Sequence, residues 1–120
     1  MSTAQADYVV LLLRAGETET YGDGDVVFAE GVPGDRVYVV KSGTVSIVKD
    51  GRELESVGAG QIFGELALID REPRSASAIS AGECELVAIE PRRFWFLVQE
   101  TPYFAEIVMR VMADRLRRNT

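Results

Sequence analysis

The chain has 120 residues, 47% of them hydrophobic, with a net charge of −6, no histidine and one cysteine. That length and apolar content suit one independently folding domain and exclude a disordered chain. The lack of histidine removes histidine-based catalysis and the usual histidine-built metal sites, the lone Cys84 cannot close an intrachain disulfide, and the acidic balance disfavours non-specific binding to nucleic acid.

In chain order, Ala4 to Arg14 predict a short helix, although the run Val9 to Leu13 fits a buried strand equally well. That run is among the longest uninterrupted apolar stretches. It is too short for a transmembrane helix or a secretory core, so a soluble cytoplasmic protein without membrane association is expected. From Thr18 to Ile89 the chain reads as short strands broken by turn signals at Gly22-Asp23-Gly24, Pro33-Gly34-Asp35, Ser42-Gly43, Asp50-Gly51 and Gly58-Ala59-Gly60. Strands at this spacing predict a sandwich or barrel. Asp50-Gly51, between Val45–Val48 and Leu54–Val57, predicts a two-residue hairpin. Cys84, in the strand-like run Glu83 to Ile89, is expected to be a small core residue.

Pro91 suits the first turn of a helix in which Phe94, Leu97 and Val98 share one face. Pro102 begins a second helix. Phe104, Ile107, Val108, Val111 and Met112 follow the helical repeat there, and Leu116 extends the stripe. Arg110, Arg115, Arg117 and Arg118 are expected to face solvent and complement the helix C-terminus, rather than to form a phosphate- or DNA-binding patch. Trp95 is expected to pack rather than to cap a ligand.

The most informative stretch is Phe63 to Ala78, F-G-E-L-A-L-I-D-R-E-P-R-S-A-S-A. Gly64 permits close backbone approach. Glu65 to Ile69 can form a short helical turn whose first amides are available to an anion. Ionised Glu65 can accept a hydrogen bond from a hydroxyl. Arg74 offers a permanent charge and a planar fork of donors suited to phosphate. Pro73 holds the approach to it extended, and Ser75, Ala76 and Ser77 leave space beside it. Leu66, Leu68 and Ile69 are expected in the core, and Asp70, Arg71 and Glu72 in a solvated loop. No nucleophile or base joins these acids in a recognisable motif, so no enzyme is expected.

This stretch resembles the phosphate-binding cassette of the cyclic nucleotide-binding domain family, which includes catabolite activator proteins, regulatory subunits of cyclic-AMP-dependent protein kinase and cyclic-nucleotide-gated channels. The resemblance runs from about Thr18 to Leu116. Gly24–Phe28 and Glu30–Asp35 look like the family's first strands and turn, and Val37–Val45 like its central hairpin. The implied fold is mainly β: a β-roll (a jelly-roll-like double-stranded β-helix) over 18–89. An N-terminal helix precedes it and C-terminal hinge and lid helices over 91–118 follow, within a single domain, 1–120.

The implied ligand is cyclic AMP, with cyclic GMP the alternative, and no metal or other cofactor. The implied contacts are Phe63, Gly64, Glu65, Leu66, Ala67, Arg74, Ser75 and Ala76. Glu65 falls on the family's ribose glutamate and Arg74 on its phosphate arginine. Ser75 leaves the choice of base open, and Asn119 and Thr120 fall near where some members touch the base. The expected function is a stand-alone regulatory module that signals by moving its C-terminal helices. A protein partner or a second copy would meet those helices, and no specific nucleic-acid binding is expected of this chain. The alternatives are the ligand-binding part of a DNA-binding transcription regulator, whose further domain would follow Thr120, and a degenerate interaction domain that binds no nucleotide.

Overall fold

The computed structural model describes residues 10–118. Residues 10–13 are helical, which decides against the strand alternative there; the remainder of the predicted N-terminal helix, residues 4–9, lies outside the described residues, as do Asn119 and Thr120. Six strands follow: β1 (Glu17–Tyr21), β2 (Val26–Phe28), β3 (Val37–Lys49), β4 (Arg52–Val57), β5 (Ile62–Phe63) and β6 (Ser77–Ile89). The helices are α1 (Leu66–Asp70), α2 (Pro91–Glu100) and α3 (Pro102–Arg118). All strand pairs are antiparallel, in the order β1-β6-β3-β4, with β2 added to β6 and β5 to β3. The result is the mainly-β roll with flanking helices that the resemblance implies, its sheet left open.

Strands β3 and β6 form the spine, paired from Val37 opposite Ile89 to Val48 opposite Ser77. Side chains alternate across a strand, so each of them serves two layers. Val37, Val39, Val87 and Ile89 pack towards the helices, against Leu12, Leu68, Phe94, Leu97, Phe104 and Val108. Tyr38, Val40, Leu86 and Ala88 face the roll interior, with Phe63, Ala78 and Cys84. Cys84 is therefore a core residue, as expected.

The Ser42-Gly43 signal does not make a turn. β3 continues through it without a break, and its register against β6 shifts on both sides of Ser42. Val37–Val45 is thus one kinked strand rather than a hairpin. The irregularity switches which residues face inward, from Tyr38 and Val40 before it to Val45 and Ile47 after it. Gly43 has φ +89°, and a Cβ there would come within 2.6 Å of the Cys84 Cβ, so only glycine fits the kink. The Asp50-Gly51 hairpin forms as expected: Lys49 pairs with Arg52, and both turn residues have positive φ, 53° and 76°.

Pro91 opens α2, which buries Phe94 and Leu97; Phe104 and Val108 are the buried residues of α3. The rings of Phe94 and Phe104 meet edge to face at 5.6 Å and join the two helices. Leu116 departs from its expected place in the stripe. It lies 66% exposed, beyond the end of the core. No helix among the described residues is long and apolar enough to cross a membrane.

Candidate functional site

A cavity of about 290 Å³ opens between the roll, α1 and the last turns of α3. Phe63, Gly64, Glu65, Leu66, Ala67, Arg74, Ser75 and Ala76 all line it, so every contact residue expected from the sequence is brought to one place. β5 delivers Phe63. Gly64 then turns the chain at φ +83°, and a Cβ there would sit 3.0 Å from Arg74 Nη1 and 3.3 Å from the Phe28 ring. Glu65 follows as the N-cap of α1, its carboxylate making no cap bond and so free to turn elsewhere. Arg71 ends α1 in the left-handed region, φ 59°. The return arm is bridged to the loop before β3: the Arg74 amide donates to Val32 O and the Gly31 amide donates to Arg74 O, both at 2.8 Å.

Arg74 is 4% exposed. Its Nη1 donates to Gly64 O and its Nη2 to Arg36 O, each at 2.7 Å. The guanidinium carbon lies 3.9 Å from the centre of the Phe28 ring, a cation–π contact. Its Nε has no hydrogen-bond partner. No salt bridge to a carboxylate is found for it among the described residues. Burial pushes its pKa down from the usual value, the signature of a cation held in a poorly solvated place without a counter-ion.

Glu65 is 1% exposed. Its Oε1 accepts a hydrogen bond from Arg115 Nη1, while its Oε2 has no partner. Arg115 comes from α3. It also donates from Nε to Glu55 Oε2 at 3.0 Å and from Nη2 to Ile62 O at 2.9 Å. Arg118 pairs with the same Glu55.

This corrects the expectation that Arg115 faces solvent. Two carboxylates on the roll side, Glu55 and Glu65, draw it inward over the cavity, and Arg118 follows to Glu55. Arg110 does stay exposed, paired with Glu106 one turn earlier, and Arg117 is exposed. Leu66 also departs from expectation. The single turn of α1 buries Ala67 and Leu68, which leaves Leu66 43% exposed on the cavity side. Trp95 packs edge-on against Phe94 at 5.1 Å and does not line the cavity. Arg71 is exposed and does not line the cavity; it borders a separate outer hollow with Trp95.

Phe28, Glu55 and Arg115 border the cavity and were not singled out for the site by the sequence. Each reaches it from a distant element, and the basic cluster at the C-terminus was the one local signal for Arg115. The finished arrangement holds an open donor on a buried cation and an open acceptor on a buried carboxylate. Apolar side chains from Ile47, Leu54, Met112 and Leu116 surround the rest. It can take a ligand that carries an anion, a hydroxyl and an apolar face.

Residues 18–101 match the family described as the cyclic nucleotide-binding domain. The CRP-like cAMP-activated global transcriptional regulator of Mycobacterium tuberculosis is 41% identical in an alignment 100 residues long that covers 79% of this chain and 45% of that protein. The cGMP-dependent protein kinase of Plasmodium berghei is 47% identical over 70 residues, 58% of this chain and 8% of that protein. The crystal structure of Thermus thermophilus catabolite activator protein superimposes with a TM-score of 0.82 at 31% identity, covering 99% of this chain and 57% of that one. The chain spans less than half the length of the mycobacterial regulator.

Proposed function

The chain belongs to the cyclic nucleotide-binding domain family, and from that we propose that it binds cyclic AMP beneath α3 and turns occupancy into a change in how α2 and α3 seat on the roll. The observation that supports this reading is a pair of buried atoms without partners, Arg74 Nε and Glu65 Oε2, on two residues that line one cavity. A buried cation and a buried acceptor are costly to leave unpaired, and a cyclic nucleotide satisfies both at once. Its phosphate meets Arg74, Ser75 and the first amides of α1, and its ribose 2′-hydroxyl donates to Glu65 Oε2. The base lies among Leu54, Leu66, Met112 and Leu116.

Cyclic AMP is favoured over cyclic GMP by the name of the mycobacterial relative, whereas the Plasmodium relative is named for cyclic GMP. Ser75 suits either base. Calorimetry of the full chain with cyclic AMP, cyclic GMP and linear AMP decides. Cyclic AMP is expected to bind most tightly, and absence of binding by both cyclic nucleotides would leave a degenerate interaction domain.

Signalling follows because Glu65 shares its carboxylate between the ligand and Arg115. A ligand that prefers one seating of α3 shifts the population towards it. The exposed side of α3 is then the surface offered to a protein partner or a second copy. A second reading, the sensor part of a larger DNA-binding regulator, is supported by the likeness to the mycobacterial protein, of which this chain spans 45%. Nucleotide-dependent retention of a DNA duplex by the product of the whole native gene would establish it.

A further inference from the structure

We infer that Glu19, on β1 and outside the cavity, is a positioning residue for Arg74 and acts through Arg36. The inference rests on the reading of Arg74 as the phosphate ligand. Glu19 Oε2 accepts from Arg36 Nη1 at 2.8 Å, and its Oε1 accepts from the Tyr21 hydroxyl at 2.7 Å. Both carboxylate oxygens are thus engaged, and the pair is half-buried. The backbone carbonyl of the same Arg36 accepts from Arg74 Nη2 at 2.7 Å.

Residue 36 ends a stretch, 33–36, that belongs to no strand or helix. Its carbonyl precedes the ladder of β3, which begins at Val37 opposite Ile89. That carbonyl thus sits at the free edge of the ladder, on a residue whose side chain is held by Glu19 at 2.8 Å and more loosely by Asp35, 3.9 Å from Nε. A second path leads to the same place. The Arg36 guanidinium lies 5.5 Å from the Tyr38 ring centre, and Tyr38 stacks on Phe63 at 5.3 Å. Both rings lie 6.0 Å from Phe28, the ring beneath Arg74. The acceptor for the Arg74 fork is thus Arg36's own carbonyl, and the ring under Arg74 is linked to the Arg36 guanidinium through Tyr38. Small displacements of a ligand-holding group carry large losses of function, whereas a partly exposed ion pair adds little to stability. Glu19 should therefore matter more to ligand affinity than to folding.

The full chain carrying Glu19→Ala is titrated with cyclic AMP by calorimetry, with Glu17→Ala on the same strand as control. Glu19→Ala is expected to weaken binding about three- to tenfold, with the control unchanged. The exchanged pair Glu19→Lys with Arg36→Glu is expected to recover the share of the loss carried by the residue-36 carbonyl, while the guanidinium contact with Tyr38 is not restored. In the ligand-free protein, nitrogen-15 NMR of the Arg74 Nε–H should show faster solvent exchange in Glu19→Ala and recovery in the exchanged pair. If Glu19→Ala does not fold, Glu19→Gln, which keeps the side-chain volume, takes its place. Wild-type affinity in Glu19→Ala, or no recovery in the exchanged pair, overturns the inference. Should the wild-type chain bind no cyclic AMP, the functional reading fails separately, and the Arg74 exchange rate alone decides: an unchanged rate overturns the positioning role, a faster one upholds it.

Discussion

Arg115 of α3 donates to Glu65 at the head of α1, and so ties the last helix to the carboxylate whose second oxygen remains open. The same guanidinium grips Glu55 and the Ile62 carbonyl. The seating of α3 and the pairing of the Glu65 carboxylate are thereby one physical unit, because moving the helix strips Glu65 of its cation.

Arg115→Ala should consequently loosen α3 and destabilise the chain. Glu65 would be left as a buried carboxylate with no counter-charge. Loss of one partner from a fully buried pair costs about 3–5 kcal/mol; Arg115 keeps a quarter of its side chain in solvent, so about 1–3 kcal/mol is expected after screening. Urea denaturation measures this. Hydrogen exchange should quicken across 102–118, and cyclic AMP should restore less protection there than in the wild type. Unchanged exchange in α3 would mean that the helix is held by its apolar face alone.

Glu65 should read the ribose. Replacing cyclic AMP by its 2′-deoxy analogue leaves Oε2 unpaired and is expected to weaken binding by about 1.5–3 kcal/mol, the range for a hydrogen bond to a charged group. In Glu65→Gln the two ligands should bind more nearly alike. Equal affinities in the wild type would remove Glu65 from the contact set.

Arg74→Ala should lower affinity for cyclic AMP by about 2–5 kcal/mol, and Arg74→Lys should recover only part, since an ammonium lacks the planar fork. The chain should still fold. Even so, two carbonyls lose their donor and Phe28 loses its cover, so a stability loss of about 1–3 kcal/mol is expected, tempered by relief of the buried charge. Arg71→Ala should change both quantities by less than about 0.5 kcal/mol, because that residue is exposed and does not line the cavity. Normal binding by Arg74→Ala together with loss in Arg71→Ala would reassign the phosphate ligand.

Stability should decline in alkali. Burial raises the pKa of Tyr38; burial, then the hydrogen bond and charge of Glu19, raise that of Tyr21. In the unfolded chain both titrate near 10. Above that pH the unfolded state sheds protons that the folded state retains, so stability falls as pH rises. The slope for the well-buried Tyr38 is at most about 1.4 kcal/mol per pH unit, and the half-exposed Tyr21 adds less because solvent screens it. Urea midpoints between about pH 8 and about pH 11 should fall in the wild type and fall less in Tyr38→Phe.

Local chemistry was legible in the sequence; what crosses the fold was not. The Phe63–Ala78 run set out the cassette because its glycine, acid and arginine act within one turn and return of the chain. Asp50-Gly51 was readable because a tight turn needs positive φ at adjacent residues. Arg115 was not, since its partner lies 50 residues away and a helix periodicity reports the apolar face alone. Phe28 reads in sequence as an ordinary strand residue, and its role as the bed of Arg74 exists only once β2 has paired with β6. At Ser42-Gly43 a glycine that marks a turn elsewhere marks a kink, because pairing with β6 continues on both sides. Leu66 looked like core because a five-residue helix is too short for its buried face to be inferred from spacing.

Trp95 gives the chain a built-in optical probe. It is the sole tryptophan, it lies 40% exposed on α2, and it borders the outer hollow with Ala67, Leu68 and Pro73 rather than the cavity beneath α3. A bound purine would not stack on it, so direct quenching by the base is absent from its emission. A shift in wavelength or intensity on adding nucleotide would then register the cassette sliding against α2, and the time course of that shift would separate the seating of the helix from the arrival of the ligand.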